Sequence, residues 1–409
     1  MSAFRVYINP KDDAGAFTGY QEVTSDVDLS SLASITEKID NDEYDVGTFK
    51  FNTLTMKLRN EDGNYSDVEN VESIFRDRRG GSKVQFRWQV QGHQTICGVA
   101  PCGMGRAKIT PELTVYDGIL NDDASKQDID TQQITFKVLS SNSVLDEVET
   151  NFGSLSNGDL FSEAILTVLS QTEVTNILTV DVANINVGLD VLIDDVSDFE
   201  NTTVKEALDD LLFGSNSVMY VIDNIIYISS RDGGATTQFT FRGQGSNAGI
   251  EDIIKLSGIS AGRNNVFNYW TWKDTTLNAT DSASITANGV KKKAISFSQI
   301  TNTTKRQSIL DAQRDEFSDL KQEFKLTTFL TYDTLALRML DRVAVDYPTV
   351  YGPGQPGAEI PLYGIAIYGE AIYPGGQFGL TIDVTTPFKI MGKKIDAKNK
   401  TITFDLKEI

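Results

Sequence analysis

The chain has 409 residues, of which 40% are hydrophobic and 23% charged, a length that allows several domains and a composition that carries no mark of disorder. Its 57 acidic residues against 37 basic ones leave a formal net charge of −20, which repels phosphate backbones and argues against sequence-specific nucleic-acid binding. No apolar run approaches the roughly 20 residues that span a bilayer. The first residues, Met1 to Asp13, lack the charged-then-apolar order of a secretory signal, so synthesis in a cytoplasm without export by the usual route is the expectation.

In chain order, residues 1–142 read as strands. Phe4 to Ile8 alternates, Ile35 to Ile39 is extended, and Phe49 to Leu58 ends in the turn chemistry of Asn60-Glu61-Asp62-Gly63-Asn64. Val84 to Val90, Leu113 to Leu120 and Ile134 to Leu139 follow, a spacing that suggests an antiparallel barrel or sandwich. From 143 to 235 the period changes. Leu160, Phe161, Ile165, Leu166 and Leu169 mark a helix with Asn157 or Asp159 as its cap. Thr202 to Leu212 predicts a second, with a threonine cap and Gly214 closing it. Val218–Ile222 and Ile225–Ile228 flank Asp223-Asn224 as a tight hairpin. Residues 236–350 return to strands, Val266–Trp272 and Val343–Tyr347, around an amphipathic helix from Lys305 to Phe324 that places Ile309, Ala312, Phe317, Leu320 and Phe324 near one side. Residues 351–409 begin in a Gly/Pro/Tyr-rich stretch and end in the strand Ile402–Leu406. The predicted fold class is mainly β with an α+β insertion.

Catalytic equipment is scarce. A Ser-His-Asp or Cys-His site would have to use the single histidine, His93. Counting does not exclude a glycosidase-type carboxylate pair, but the acids gather in turn-like runs such as Asp40-Asn41-Asp42-Glu43 and Asn121-Asp122-Asp123, which read as solvated loops. No catalytic residue and no cofactor site is assigned. His93, Cys97 and Cys102 share a glycine-punctuated loop and are the candidate metal ligands. Three ligands at these spacings match no standard zinc pattern, so an exposed hairpin tip with inert or bridged thiols is the preferred reading, and no metal is expected. Gly243 to Gly249, between the strand Phe239–Phe241 and a helix predicted from Ile250 to Ile254, imitates a dinucleotide loop but has one residue too many and reads as a connection. Asn60, Asp62 and Asn64 imitate a calcium loop with its glycine misplaced, and turn residues explain them better. Lys291-Lys292-Lys293 reads as a solvated loop or a contact for an acidic neighbouring subunit.

Two regions resemble a known family. Leu58-Arg59-Asn60-Glu61-Asp62-Gly63-Asn64-Tyr65-Ser66, then Gly80-Gly81-Ser82-Lys83-Val84, then Tyr116-Asp117-Gly118-Ile119-Leu120 is similar to the N-terminal pattern of phage tail-tip and baseplate hub proteins. Leu340 to Tyr347, Pro387 to Asp396 and Thr401 to Leu406 are similar to their second β domain and closing segment. The resemblance implies two tube-like β domains (1–142 and 236–350), an inserted α+β domain (143–235) and a closing segment (351–409). It implies a homotrimeric ring in the virion that joins the tail tube and distal tail proteins to a central spike or fibre, lines the DNA passage without gripping it, and has no catalytic residues. The alternative is a carbohydrate-binding adhesive tail protein, with Trp270, Trp272, Tyr363, Tyr368 and Tyr373 stacking on sugars.

Overall fold

The computed structural model describes residues 3–32, 35–38, 53–66, 73–75, 78–89, 91–92, 108–109, 112–128, 130–243, 252–260, 266–347, 382 and 384–409. His93, Cys97, Cys102, Tyr363, Tyr368, Tyr373 and the Asp40–Glu43 run lie outside the described residues.

Alternation builds the N-terminal sheet. In Thr53–Arg59 every second residue (Leu54, Met56, Leu58) is buried and the others face water, the period-2 pattern of a sheet with one face on a core. Six strands lie in the order Gln21–Glu22, Ala3–Lys11, Arg78–Gln89, Leu113–Asp128, Gln133–Ser140, Thr53–Arg59, every pair antiparallel. Register shifts at Phe86/Arg87 and between Asn121 and Lys126 add residues to one strand of a pair, which bends a strand and increases its twist, and the sheets curl into half barrels. Gly118 is required by close approach: a Cβ there would meet Val138 Cγ1 at 2.4 Å and the Leu139 carbonyl at 2.6 Å.

The C-terminal sheet runs Thr237–Arg242, Arg342–Asp346, Pro387–Asp396, Thr401–Glu408, Glu323–Phe329, Ile253–Ser260, and a strand from the N-terminal region, Ile35–Lys38, pairs with Gly392–Ile395 of it. One continuous apolar cluster serves both large sheets, from Val6, Ile8 and Phe136 to Phe388, Ile390 and Phe404. The chain thus threads its first region into its last.

Between the sheets sits a mixed unit with its own core. The helices Phe161–Leu169 and Val204–Gly214 pack on the hairpin Ser217–Ile222/Ile225–Ser230, whose turn residues Asp223 and Asn224 have φ of 53° and 60°, a left-handed pair suited to Asp and Asn. Residues 266–317, a three-stranded sheet with the helix Thr303–Phe317, share this core through Trp270, Trp272, Phe297, Ile309 and Leu310. Packing therefore groups 266–317 with 144–228 rather than with the C-terminal sheet.

Four local expectations change. The helix predicted to reach Phe324 ends at Phe317; Leu320 is exposed and Phe324 belongs to a strand. Ile253 and Ile254 open a strand instead of a helix, because they pair with the strand Glu323–Phe329. Neither Asn157 nor Asp159 caps the first long helix: their side chains accept from the Val196 and Ser156 amides, while Glu163 takes the Leu160 amide and Asp190 that of Ser162. Gly214 is the last helical residue, kept small by Phe161 and Phe297, whose ring atoms lie 2.7 and 2.9 Å from where its Cβ would be.

Candidate assembly site

The sheet edges among the described residues are the first assembly feature. The N-terminal sheet ends in Gln21–Glu22 on one side and Thr53–Arg59 on the other, and the C-terminal sheet ends in Thr237–Arg242 and Ile253–Ser260. The Thr53–Arg59 edge is partly closed: the Lys57 carbonyl accepts from the Asp28 amide and Leu58 bridges Val27. The Ile253–Ser260 edge exposes Ile254 and Ile259 at 46% each beside Phe329 at 58%, a pattern that natural sheets keep where another surface covers it.

The outward face of the N-terminal sheet is ionic. Glu112 lies 3.1 Å from Arg5 and 3.5 Å from Arg87, and accepts from the Tyr7 hydroxyl at 3.3 Å. The Arg87 guanidinium sits 4.5 Å from the centroid of the Tyr7 ring.

The seam between this sheet and the mixed unit is polar as well. Lys83 Nζ donates to the Ile177 carbonyl (3.2 Å), and Ser141 Oγ donates to Asn224 Oδ1 (2.7 Å). Burial pushes the Asp117 carboxyl up to about 7; neighbouring Asp223 adds to this, while the Gln85 side chain, the Asn224 amide and Arg87 oppose it. Burial, with Asp117 as an added cause, raises the Tyr20 hydroxyl to about 12. A cavity of about 300 Å³ opens at this seam, where the N-terminal sheet, the hairpin and the segment after the helix Tyr332–Ala336 meet.

A second seam joins the mixed unit to the C-terminal sheet through buried charge. Glu316 Oε1 lies 2.9 Å from Lys389 Nζ and 3.8 Å from Lys407 Nζ, and its Oε2 lies 3.4 Å from Lys321. Lys389 also donates to the Arg231 carbonyl. Burial alone would raise the Glu316 carboxyl, but Lys389, then Lys407, Lys321 and Arg231, outweigh it and hold it down at about 2. Burial lowers the Arg231, Lys389 and Lys407 groups.

Several sequence candidates take structural roles. Trp270 and Trp272 are 1% and 3% exposed, and the Trp270 indole donates to the Phe267 carbonyl, so neither is placed to stack on a sugar. Lys292 and Lys293 stand on a strand, not in a loop, paired in parallel with Tyr269–Trp272. Asn60 serves its turn: Oδ1 accepts from the Tyr65 amide and Nδ2 donates to Ser66 Oγ. Of the glycine loop only Gly243 is described, where a Cβ would strike the Tyr347 ring at 2.2 Å. Sequence reasoning missed Glu316 and Asp117 as site residues, since the partners of each come from distant elements.

No protein-family model matches the sequence, and no curated protein matches it. Solved structures do match in fold. A tail protein from Neisseria meningitidis aligns over 100% of this chain and 96% of its own, with TM-score 0.54 and 10% identity. The prophage tail protein gp18 from Listeria monocytogenes aligns over 98% and 94%, with TM-score 0.53 and 11% identity. A Francisella PdpA–VgrG complex aligns over 100% of this chain and 58% of that one, with TM-score 0.51 and 11% identity. Two curled β sheets around a mixed unit, matched from end to end, give this chain the fold of phage tail proteins.

Proposed function

We propose that the chain is the structural hub of a phage or phage-like tail tip or baseplate. It forms a homotrimeric ring that joins the tail tube and distal tail proteins to a central spike or fibre, and it lines the passage for DNA. The observation that carries this reading is the likeness in fold to tail proteins, which aligns over 98–100% of the chain. The rest supports it. Two curled sheets, each with an edge that pairs no further strand among the described residues, provide two ring-forming elements per chain, so three copies present six. The exposed Ile254, Ile259 and Phe329 suit a subunit contact, and a net charge of −20 suits a wall past which DNA slides. In this reading the tube-like elements are the N-terminal sheet and the C-terminal sheet, with 144–230 and 266–317 as the unit between them. The protein works without catalysis, and any wall-degrading activity belongs to a partner.

Native mass spectrometry of the purified protein, with electron microscopy of particles, tests the proposal. A trimer at the tail tip is the expected result; a chain that stays monomeric and is absent from particles would overturn it. The adhesive reading is disfavoured by the burial of Trp270 and Trp272.

A further inference from the structure

The charge of this chain is spread unevenly. Residues 144–230 hold sixteen acidic residues against one basic residue, Lys205, and so carry −15 of the net −20. Among the described residues, only Asp194 and Asp209 of the sixteen lie within ion-pair distance of a cation. Glu147, Glu173 and Glu200 are exposed. The opposite charge gathers on the small sheet that shares this unit's core. Its strands Asn278–Thr280, Tyr269–Trp272 and Lys292–Ile295 contain no carboxylate, and Lys291, Lys292 and Lys293 follow one another at one margin.

Lys291 and Lys292 are exposed, and neither lies within ion-pair distance of a carboxylate among the described residues. The Lys292 ammonium stands 5.4 Å from the centroid of the Tyr269 ring, and Val290 beside the run is 63% exposed. The strand is also an edge: it pairs with Tyr269–Trp272 on one side, and no described strand lies on the other. The Lys291 carbonyl accepts from the Tyr269 amide and the Ile295 carbonyl from the Lys273 amide. Backbone groups alternate in direction along a strand, so those of Lys292 and Ala294 point away from the sheet, to the open side. Such an edge can take a further strand. Its lysines repel a like edge, which keeps two copies of this strand apart and leaves an acidic surface as the partner that fits.

We propose that the edge from Lys291 to Ile295 is the docking surface for residues 144–230 of a second copy of this chain. Charge complementarity selects this occupant: copies of a chain with net charge −20 repel one another overall, and the lysine edge against the acidic unit is a contact in which unlike charges meet. Every copy carries both surfaces, so the contact is head-to-tail, and it closes into a ring where the rotation between copies allows. The inference rests on the hub reading, since the partner it names is the neighbour in the ring.

The test is sedimentation velocity of the full chain in NaCl from about 0.1 M to about 1 M, a range over which the screening length falls from about 10 Å to about 3 Å. Self-association is expected to weaken about tenfold or more across it. The double variant Lys291→Glu, Lys292→Glu should lose about as much at low salt and unfold as cooperatively as the parent, both side chains being exposed. A second variant carries Glu147→Lys, Glu173→Lys and Glu200→Lys, exposed positions in the acidic unit. Mixed together, the two variants should associate more tightly than either does alone. The proposal is overturned, with the hub reading left standing, if an oligomer forms that neither salt nor the lysine variant weakens, or if the mixed variants associate no better than each alone. It is equally overturned if the lysine variant loses binding to duplex DNA while self-association is unchanged. A chain that is monomeric at every salt concentration overturns it as well, and the hub reading falls with it if the chain is also absent from particles.

Discussion

Lys407 should destabilise the protein at neutral pH, and the effect should fade in alkali. Lys407 is 3% exposed and lies among Lys389, Arg231 and the carboxylate of Glu316, with the charge of Glu323 also acting on it. Burial pushes its ammonium from 10.5 down to about 8; Glu316 and, less, Glu323 oppose that, while Lys389 and Arg231 add to it. Moving proton loss from 10.5 to about 8 corresponds to about 3 kcal/mol of unfavourable interaction with the charged form. The unfolded chain keeps this proton up to 10.5 and the folded protein loses it near 8, so between those values the unfolded state binds more protons and stability rises with pH. Below 8 the folded protein bears the full penalty. Lys407→Met removes the charge and keeps the apolar stem, and Glu316 retains Lys389. The variant is expected to exceed the parent in stability at pH 7 by up to about 3 kcal/mol, less whatever the Glu316 contact returned, with the gap closing towards pH 10. Urea unfolding of both proteins at pH 7, 8, 9 and 10 measures the gap. A gap that stays constant with pH, or one that widens in alkali, refutes the reasoning.

Other outcomes follow from the same structure. Glu316→Gln keeps the shape but leaves Lys389, Lys407 and Arg231 without their shared carboxylate, and chemical denaturation should show a loss of about 3–5 kcal/mol. Gly118→Ala drives a methyl group into Val138 and the Leu139 carbonyl, an overpacking of about 1–3 kcal/mol that should lower the thermal midpoint. Thr203→Ala removes the acceptor for the Glu206 amide from a reciprocal cap and should cost about 1 kcal/mol, with faster amide exchange in the first turn of the helix Val204–Gly214.

What the sequence reveals is what short stretches decide for themselves. The alternation in Thr53–Arg59, the Thr203/Glu206 cap and the Asp223-Asn224 turn are each complete within about ten residues, and each forms as the pattern dictates. The end of the helix Thr303–Phe317 is not local. Apolar spacing continues through Leu320 and Phe324, but the carbonyls of Phe317 and Ser318 accept from the Phe267 amide and the Ser284 hydroxyl, and the chain leaves for the sheet. Ile253 and Ile254 likewise become a strand because a partner exists 75 residues later, at Thr328. The buried cluster is further from view still: Lys389 is 73 positions from Glu316 and 158 from Arg231, and no periodicity marks residues at such separations.

The same long-range ties bear on what kind of object this is. The strand Ile35–Lys38 leaves the N-terminal region to pair within the C-terminal sheet. Lys83 and Ser141 fasten the N-terminal sheet to the mixed unit, and Glu316 with Lys389 fastens that unit to the C-terminal sheet. Each joint therefore consists of a shared strand, directed hydrogen bonds or a buried ion pair, and none is a bare apolar contact that could slide. Sliding along any of them would strand a buried charge or break a strand pairing, at about 1–5 kcal/mol for each interaction lost. A protein that turns over substrate by opening and closing gains little from such joints. One that must hold two sheets in fixed relation depends on them, which is the rigidity that the proposed hub requires.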